Sequence, residues 1–168
     1  MSISPVPQYM FSTTTDISLE FLKAKGIDFL MLDLDNTLAR YGEHTLREDI
    51  AGWAKTLQKN GILLFIVSNS HKSDRVGAFA KALGVEYVKA AGKPSSSGVL
   101  RAIETVEADK KSSALVGDQV YTDTLAANQA GIISITVKPL SIKNPLLAIR
   151  YFFEFPFRAV CKNKMWRK

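Results

Sequence analysis

Cysteine is almost missing from these 168 residues: Cys161 stands alone, so no internal disulfide can form and a reducing compartment is expected. Long apolar runs are missing too. None approaches the ~20 residues that span a bilayer, and the opening MSISPVPQYMF has neither the basic nor the apolar region of a secretory leader. Histidine is scarce, with only His44 and His71 beside the one cysteine, which leaves too few soft ligands for a zinc site. A chain of this length and apolar content forms one ordinary domain with its own core.

The net charge of +6 is unevenly placed. Residues 1–140 carry fifteen Lys and Arg against fifteen Asp and Glu, whereas residues 141–168 carry seven basic residues against Glu154 alone. The excess belongs to the C-terminal extension, so no nucleic-acid partner is expected for the body. An anionic surface becomes a candidate for the tail. Residues 1–140 are read as the domain and 141–168 as a basic, aromatic extension that is not a second domain.

Continuous β-branched and aromatic runs fall near 28–33, 62–68, 85–88, 113–117 and 132–136, with helical patterns near 46–60, 73–83, 95–107 and 122–130. Unbroken apolar strands alternating with helices predict an α/β fold, a Rossmann-like doubly wound parallel sheet of about five strands. Ligands in such sheets bind beyond the carboxyl ends of the strands. The residues expected there are Asp33-Leu34-Asp35-Asn36-Thr37, Ser68-Asn69-Ser70, Gly92-Lys93-Pro94 and Gly117-Asp118-Gln119 with Asp123 close behind.

Several carboxylates on one rim repel: two charges ~4 Å apart cost roughly 4 kcal/mol at an effective dielectric of 20. They need a cation, and oxygen-only ligands select a hard ion such as Mg²⁺, which pairs naturally with a phosphoryl group. Lys93 adds a positive point charge suited to phosphate. Two rival motifs fail. Asp33-x-Asp35-x-Thr37 starts like an EF-hand but has Leu38 at its sixth position and His44 at its twelfth. Gly92-Lys93 is no P-loop, since Pro94 follows and Tyr87 stands at the first glycine position.

DLDNT, an apolar strand ending in Ser-Asn, a downstream Lys-Pro and GDQxxTD together resemble motifs I to IV of the haloacid dehalogenase (HAD) superfamily. The likeness runs from Gly26 to Gly131 and is nearest subfamily IIIA, the YqeG-type phosphatases, which are similar to phosphatidylglycerophosphate phosphatases. That resemblance implies an Mg²⁺-dependent phosphatase working through an aspartyl-phosphate. Asp33 is then the nucleophile, and Asp35 the general acid and base whose main-chain carbonyl also meets the metal. Thr37, Ser68 and Asn69 bind the substrate phosphate with Lys93, which also serves catalysis. Asp118 ligates Mg²⁺, and Asp123 does so through water or orients Lys93. Read without the resemblance, a helix cap is the alternative role for Asp123, and His44 and His71 read as surface residues.

Asp33 and Ser68 are separated by 34 residues, and Ser68 and Lys93 by 24, each interval filled by one helix and its loops. No cap domain fits, so the site is expected to be open, with Ala39–His44 as its only flap and Arg40 and His44 placed to meet substrate. The implied substrate is phosphatidylglycerophosphate. Alternatives are a soluble phosphometabolite, nucleotide or phosphoprotein, or a non-catalytic phospho-acceptor or scaffold module. In the extension, Asn144-Pro145 starts a helix, Arg150, Glu154, Arg158 and Lys162 form a polar stripe at i+4, and Pro156 should break the helix near Phe155. Six of the sixteen aromatics lie in this extension. It suits either an anionic membrane surface or docking on the domain, giving a cytoplasmic protein, peripheral on the inner membrane face in the first case.

Overall fold

A computed structural model describes residues 3–165; Trp166, Arg167 and Lys168, counted above in the basic tail, lie outside the described residues. The strands are β1 (Tyr9–Met10), β2 (Phe29–Leu32), β3 (Leu63–Val67), β4 (Glu86–Val88), β5 (Ser113–Gly117), β6 (Ile133–Thr136) and β7 (Asn163–Lys164). Between them run the helices α1 (Leu19–Ala24), α2 (Glu48–Lys59), α3 (Ser73–Leu83), α4 (Ser97–Thr105), α5 (Leu125–Ala130) and α6 (Pro145–Val160). All strands pair in parallel in the order β4-β3-β2-β5-β6-β1-β7. The sheet therefore has seven strands rather than five. The two additions are only two residues long and pair with each other at the β6 edge, so neither carries an apolar run that a sequence pattern could show.

Alternate side chains of each strand go to opposite faces. Leu30, Leu32, Leu64, Ile66 and Val116 pack with apolar residues of α1, α2 and α3 on one side. Phe29, Met31, Phe65, Val67 and Leu115 pack with α4 and α5 on the other. Both faces being covered is why these strands read as unbroken apolar runs. In-register pairing sets Leu32 beside Ile66 and Val116. The chain thus leaves β2, β3 and β5 at one level of the rim, where the strand order reverses around β2.

α6 runs through Pro156 without breaking. The proline and the preceding Phe152 are exposed, so water can take the place of the hydrogen bond the ring removes. The nearby Phe153 carbonyl accepts the Tyr121 hydroxyl at 3.0 Å. The middle of the polar stripe of this helix faces the domain. Glu154 and Arg158 are buried against the domain, while Leu146, Ile149, Phe152, Phe153 and Phe155 are more than half exposed. Among the described residues no helix is long and apolar enough to cross a membrane.

Candidate active site

Asp33 follows β2 directly, and its N–H donates to the Val116 carbonyl at 2.8 Å, continuing the sheet for one residue. The chain then turns sharply: the Leu34 carbonyl accepts from Leu38 and Ala39, at 3.0 and 3.1 Å. Asn36 takes the left-handed conformation at φ 67°, which asparagine tolerates better than most residues. Its side chain fixes the turn from outside, donating to the Ser141 carbonyl at 2.7 Å and accepting from the Ser141 N–H at 3.0 Å.

Lys93 lies at the centre of the site with its ammonium almost fully buried. Its three donors reach Asp33 Oδ1 at 2.7 Å, Asp123 Oδ1 at 2.6 Å and the Val67 carbonyl at 2.8 Å. Burial pulls its pKa down, but the charges of Asp123 and Asp33 more than offset this and push it up. The Lys93 main chain is clasped in turn by Asn69, whose carboxamide accepts the Lys93 N–H at 2.9 Å and donates to its carbonyl at 2.8 Å.

Asp33, Asp118 and Asp123 are all buried and bring carboxylate oxygens within 4.8 Å of one another. One lysine among three carboxylates leaves the cluster short of positive charge. Burial, with the Asp123 charge and despite Lys93, raises the Asp33 pKa to about 7. Burial and the neighbouring Asp33 and Asp123 charges also hold Asp118 well above the usual carboxylate range. Thr37 bridges two of the acids, its hydroxyl lying 3.1 Å from Asp33 Oδ2 and 3.4 Å from Asp118 Oδ1. Hard oxygen donors crowded with too little countercharge are the donor set a divalent cation fits.

Asp123 reaches the cluster by folding back over Gly117. A β-carbon at Gly117 would lie 2.2 Å from the Asp123 carboxylate, so only glycine permits the approach. The Asp123 Oδ2 also accepts the Gln119 N–H at 3.1 Å. The helix expected at 122–130 begins instead with a π-helical turn over Val120–Thr124, ahead of α5.

Above the acids opens a cleft of about 430 Å³ whose lining includes Asp33, Asp35 and Lys93. His44, Asn69, His71 and Lys72 line its mouth, so both histidines stand beside the site rather than on a remote surface. Thr37 and Ser68 sit deeper, each about 1% exposed. Arg40 is outside the lining and pairs with Glu43 at 3.5 Å.

Sequence reasoning missed Arg75. From the first turn of α3 its guanidinium reaches Asp35 Oδ1 at 2.6 Å, the Glu43 carbonyl at 2.8 Å and the Arg40 carbonyl at 3.0 Å. It ties both Asp35 and the 39–44 flap to the helix. A lone arginine in a helical pattern gives no signal of this, because the partners are 32 to 40 residues away and two of them are main chain.

The sequence profile of haloacid dehalogenase-like hydrolases matches residues 8–131. The chain belongs to that family. Its relatives within the haloacid dehalogenase-like hydrolases include "Probable phosphatase YqeG" of Bacillus subtilis (strain 168), 30% identical over 136 residues, or 81% of this chain and 78% of that one. The enzyme is accordingly a HAD-type phosphatase, a phosphoric monoester hydrolase. Among solved structures it is similar in fold to the 3-deoxy-D-manno-octulosonate 8-phosphate phosphatase of Moraxella catarrhalis, in complex with magnesium ion, phosphate ion and a KDO molecule. That match has a TM-score of 0.55 at 20% identity, covering 88% of this chain and 82% of that one. The Yersinia pestis phosphatase of the same name gives 0.53 at 17% identity, covering 76% and 70%. At these identities the solved structures speak to the fold alone.

Proposed function

We propose that this HAD phosphatase is Mg²⁺-dependent, works through a phosphorylated Asp33, and acts on phosphatidylglycerophosphate at a membrane surface. The observation that supports the chemistry is a carboxylate, Asp33, lining an open cleft with Lys93 Nζ at 2.7 Å. An Asp33 oxygen attacks phosphorus, the new O–P bond forms, and the ester O–P bond breaks. Asp35, facing the same cleft, gives its proton to the leaving oxygen. Water then attacks phosphorus, Asp35 recovers a proton from it, and the Asp33–phosphate bond breaks to release phosphate. Thr37, Ser68 and Lys93 hold the phosphoryl oxygens, and Asn69 keeps Lys93 in place. Asp33, Asp118 and the Asp35 main-chain carbonyl are the groups that would hold Mg²⁺, with Asp123 behind them. The ion supplies neutralisation of phosphoryl charge as a Lewis acid.

The lipid assignment is supported by the absence of a cap and by the apolar outer face of α6, which packs on the 120–121 segment next to the cleft through Glu154 and the Phe153 carbonyl. Lys143, Lys162 and Lys164 at its ends suit anionic headgroups. Purified enzyme should release phosphate with Mg²⁺ and not with EDTA, and Asp33→Asn should lower turnover by about three orders of magnitude or more. Full turnover by Asp33→Asn overturns the covalent route. Efficient hydrolysis of soluble phosphomonoesters with none of phosphatidylglycerophosphate in mixed micelles overturns the lipid substrate and leaves the chemistry standing.

A further inference from the structure

The inward face of α6 carries a buried ion pair that the reaction above does not use. Glu154 and Arg158 stand one helical turn apart, 1% and 3% exposed, with Arg158 Nη2 at 2.9 Å from Glu154 Oε2. Their other hydrogen bonds go to main chain. Glu154 Oε1 accepts the N–H of Val120 at 2.9 Å and of Tyr121 at 3.3 Å. Arg158 Nη2 donates to the Asp118 carbonyl, and Nη1 to the Val137 carbonyl at 3.2 Å. Four residues, 118–121, thus receive three of the four, and that segment joins two of the three clustered acids.

The attraction between the two charges does not by itself account for the pair. Removing two charges from water costs several kcal/mol per ion, and apolar replacements of such pairs are often neutral or stabilising. Arg158 Nε adds to that cost: among the described residues it is the buried side-chain nitrogen that has no hydrogen-bond partner. What the pair does supply is direction. The first N–H groups of the π-helical turn have no local cap, since the Gln119 side chain accepts none of them. Glu154 caps them from another helix. Arg158 meanwhile grips the carbonyl of Asp118 itself.

We propose that Glu154 and Arg158 are positioning residues for the metal-binding carboxylates, fixing the 118–121 main chain so that Asp118 points into the cluster. The C-terminal helix is then part of the active-site machinery. This rests on the reading that Asp33 and Asp118 hold Mg²⁺, and the experiment separates the two.

Mg²⁺ affinity of the full chain is measured by calorimetry and by the Mg²⁺-induced rise in melting temperature, for wild type, Asp118→Asn, Glu154→Gln, Arg158→Met and the double variant Glu154→Met/Arg158→Met. Groups that orient metal ligands typically alter affinity 10- to 100-fold. Arg158→Met and the double variant should therefore bind Mg²⁺ about 10- to 100-fold more weakly while remaining folded without metal. Glu154→Gln keeps an acceptor for the two N–H groups and should recover most of the affinity. Arg158→Met or the double variant, folded and binding Mg²⁺ within twofold of wild type, overturns the proposal, as does failure of both to fold, which would make the pair a support of the fold instead. If Asp118→Asn binds like wild type, the metal reading itself has failed; if it does not bind while the α6 variants do, only the positioning role has.

Discussion

At the scale of single residues, the site trades stability for charge. Asp33 titrates near 7 without metal, against an ordinary 3.8, because it is buried among other acids. A carboxyl whose folded pKa is raised holds its proton more tightly folded than unfolded. Its contribution is therefore greatest below the unfolded value and is lost as pH rises through 7. Metal-free enzyme should lose stability between pH 5.5 and 8 relative to Asp33→Asn, by on the order of 2 kcal/mol or roughly 4 to 8 °C. Melting curves of both proteins in EDTA across that range check this, and parallel curves would refute it. Mg²⁺ should restore the wild type most at the alkaline end. The acids and Lys93 were legible in the sequence because each follows a strand and bears chemistry typical of such rims. Arg75 and the Asn69 clasp on Lys93 were not, since their roles consist of hydrogen bonds to atoms every residue has or to partners far along the chain.

Among elements, the five long strands announced themselves because burial on two faces demands unbroken apolar sequence. β1 and β7 did not, being two-residue pairings made by main-chain groups at the sheet edge. The orientation of α6 was hidden for a related reason. Periodicity shows that a helix has two unlike faces, and it cannot show that the polar one is buried when its partners are the N–H and carbonyl groups of a loop 33 to 40 residues away. The end of β5 shows the opposite case, where one glycine explains a whole motif. Gly117→Ala places a methyl group where the Asp123 carboxylate lies, so the acid must leave Lys93 or the strand must shift. Overpacking of this kind costs about 1 to 3 kcal/mol. Denaturant unfolding should report that loss, and phosphate release should fall by at least about tenfold. Wild-type values in both would mean that Asp123 has no fixed place in the site.

Over the whole molecule, what matters is where the absence of a cap and the exposed side of α6 meet. HAD-type chemistry at a strand rim was readable from the four motifs in order. How the rim would be covered was readable only as a negative, from the short intervals around Ser68. The structure fills that gap with an asymmetric arrangement: one wall of the site is the 118–121 segment, and behind it α6 turns Leu146, Ile149, Phe152 and Phe155 outward. An exposed apolar helix face of this kind is the sort of patch that marks a contact surface. If they rest in the headgroup region of a bilayer, removing their apolar surface should weaken capture of lipid and leave chemistry on a small ester alone, because none of them lines the cleft. Phe152→Glu/Phe155→Glu should thus lower turnover of phosphatidylglycerophosphate in anionic micelles by about tenfold or more. Hydrolysis of a water-soluble phosphomonoester should stay within twofold of wild type. An equal fall in both would place those rings in support of the active-site wall, and an unchanged lipid rate would remove α6 from the membrane.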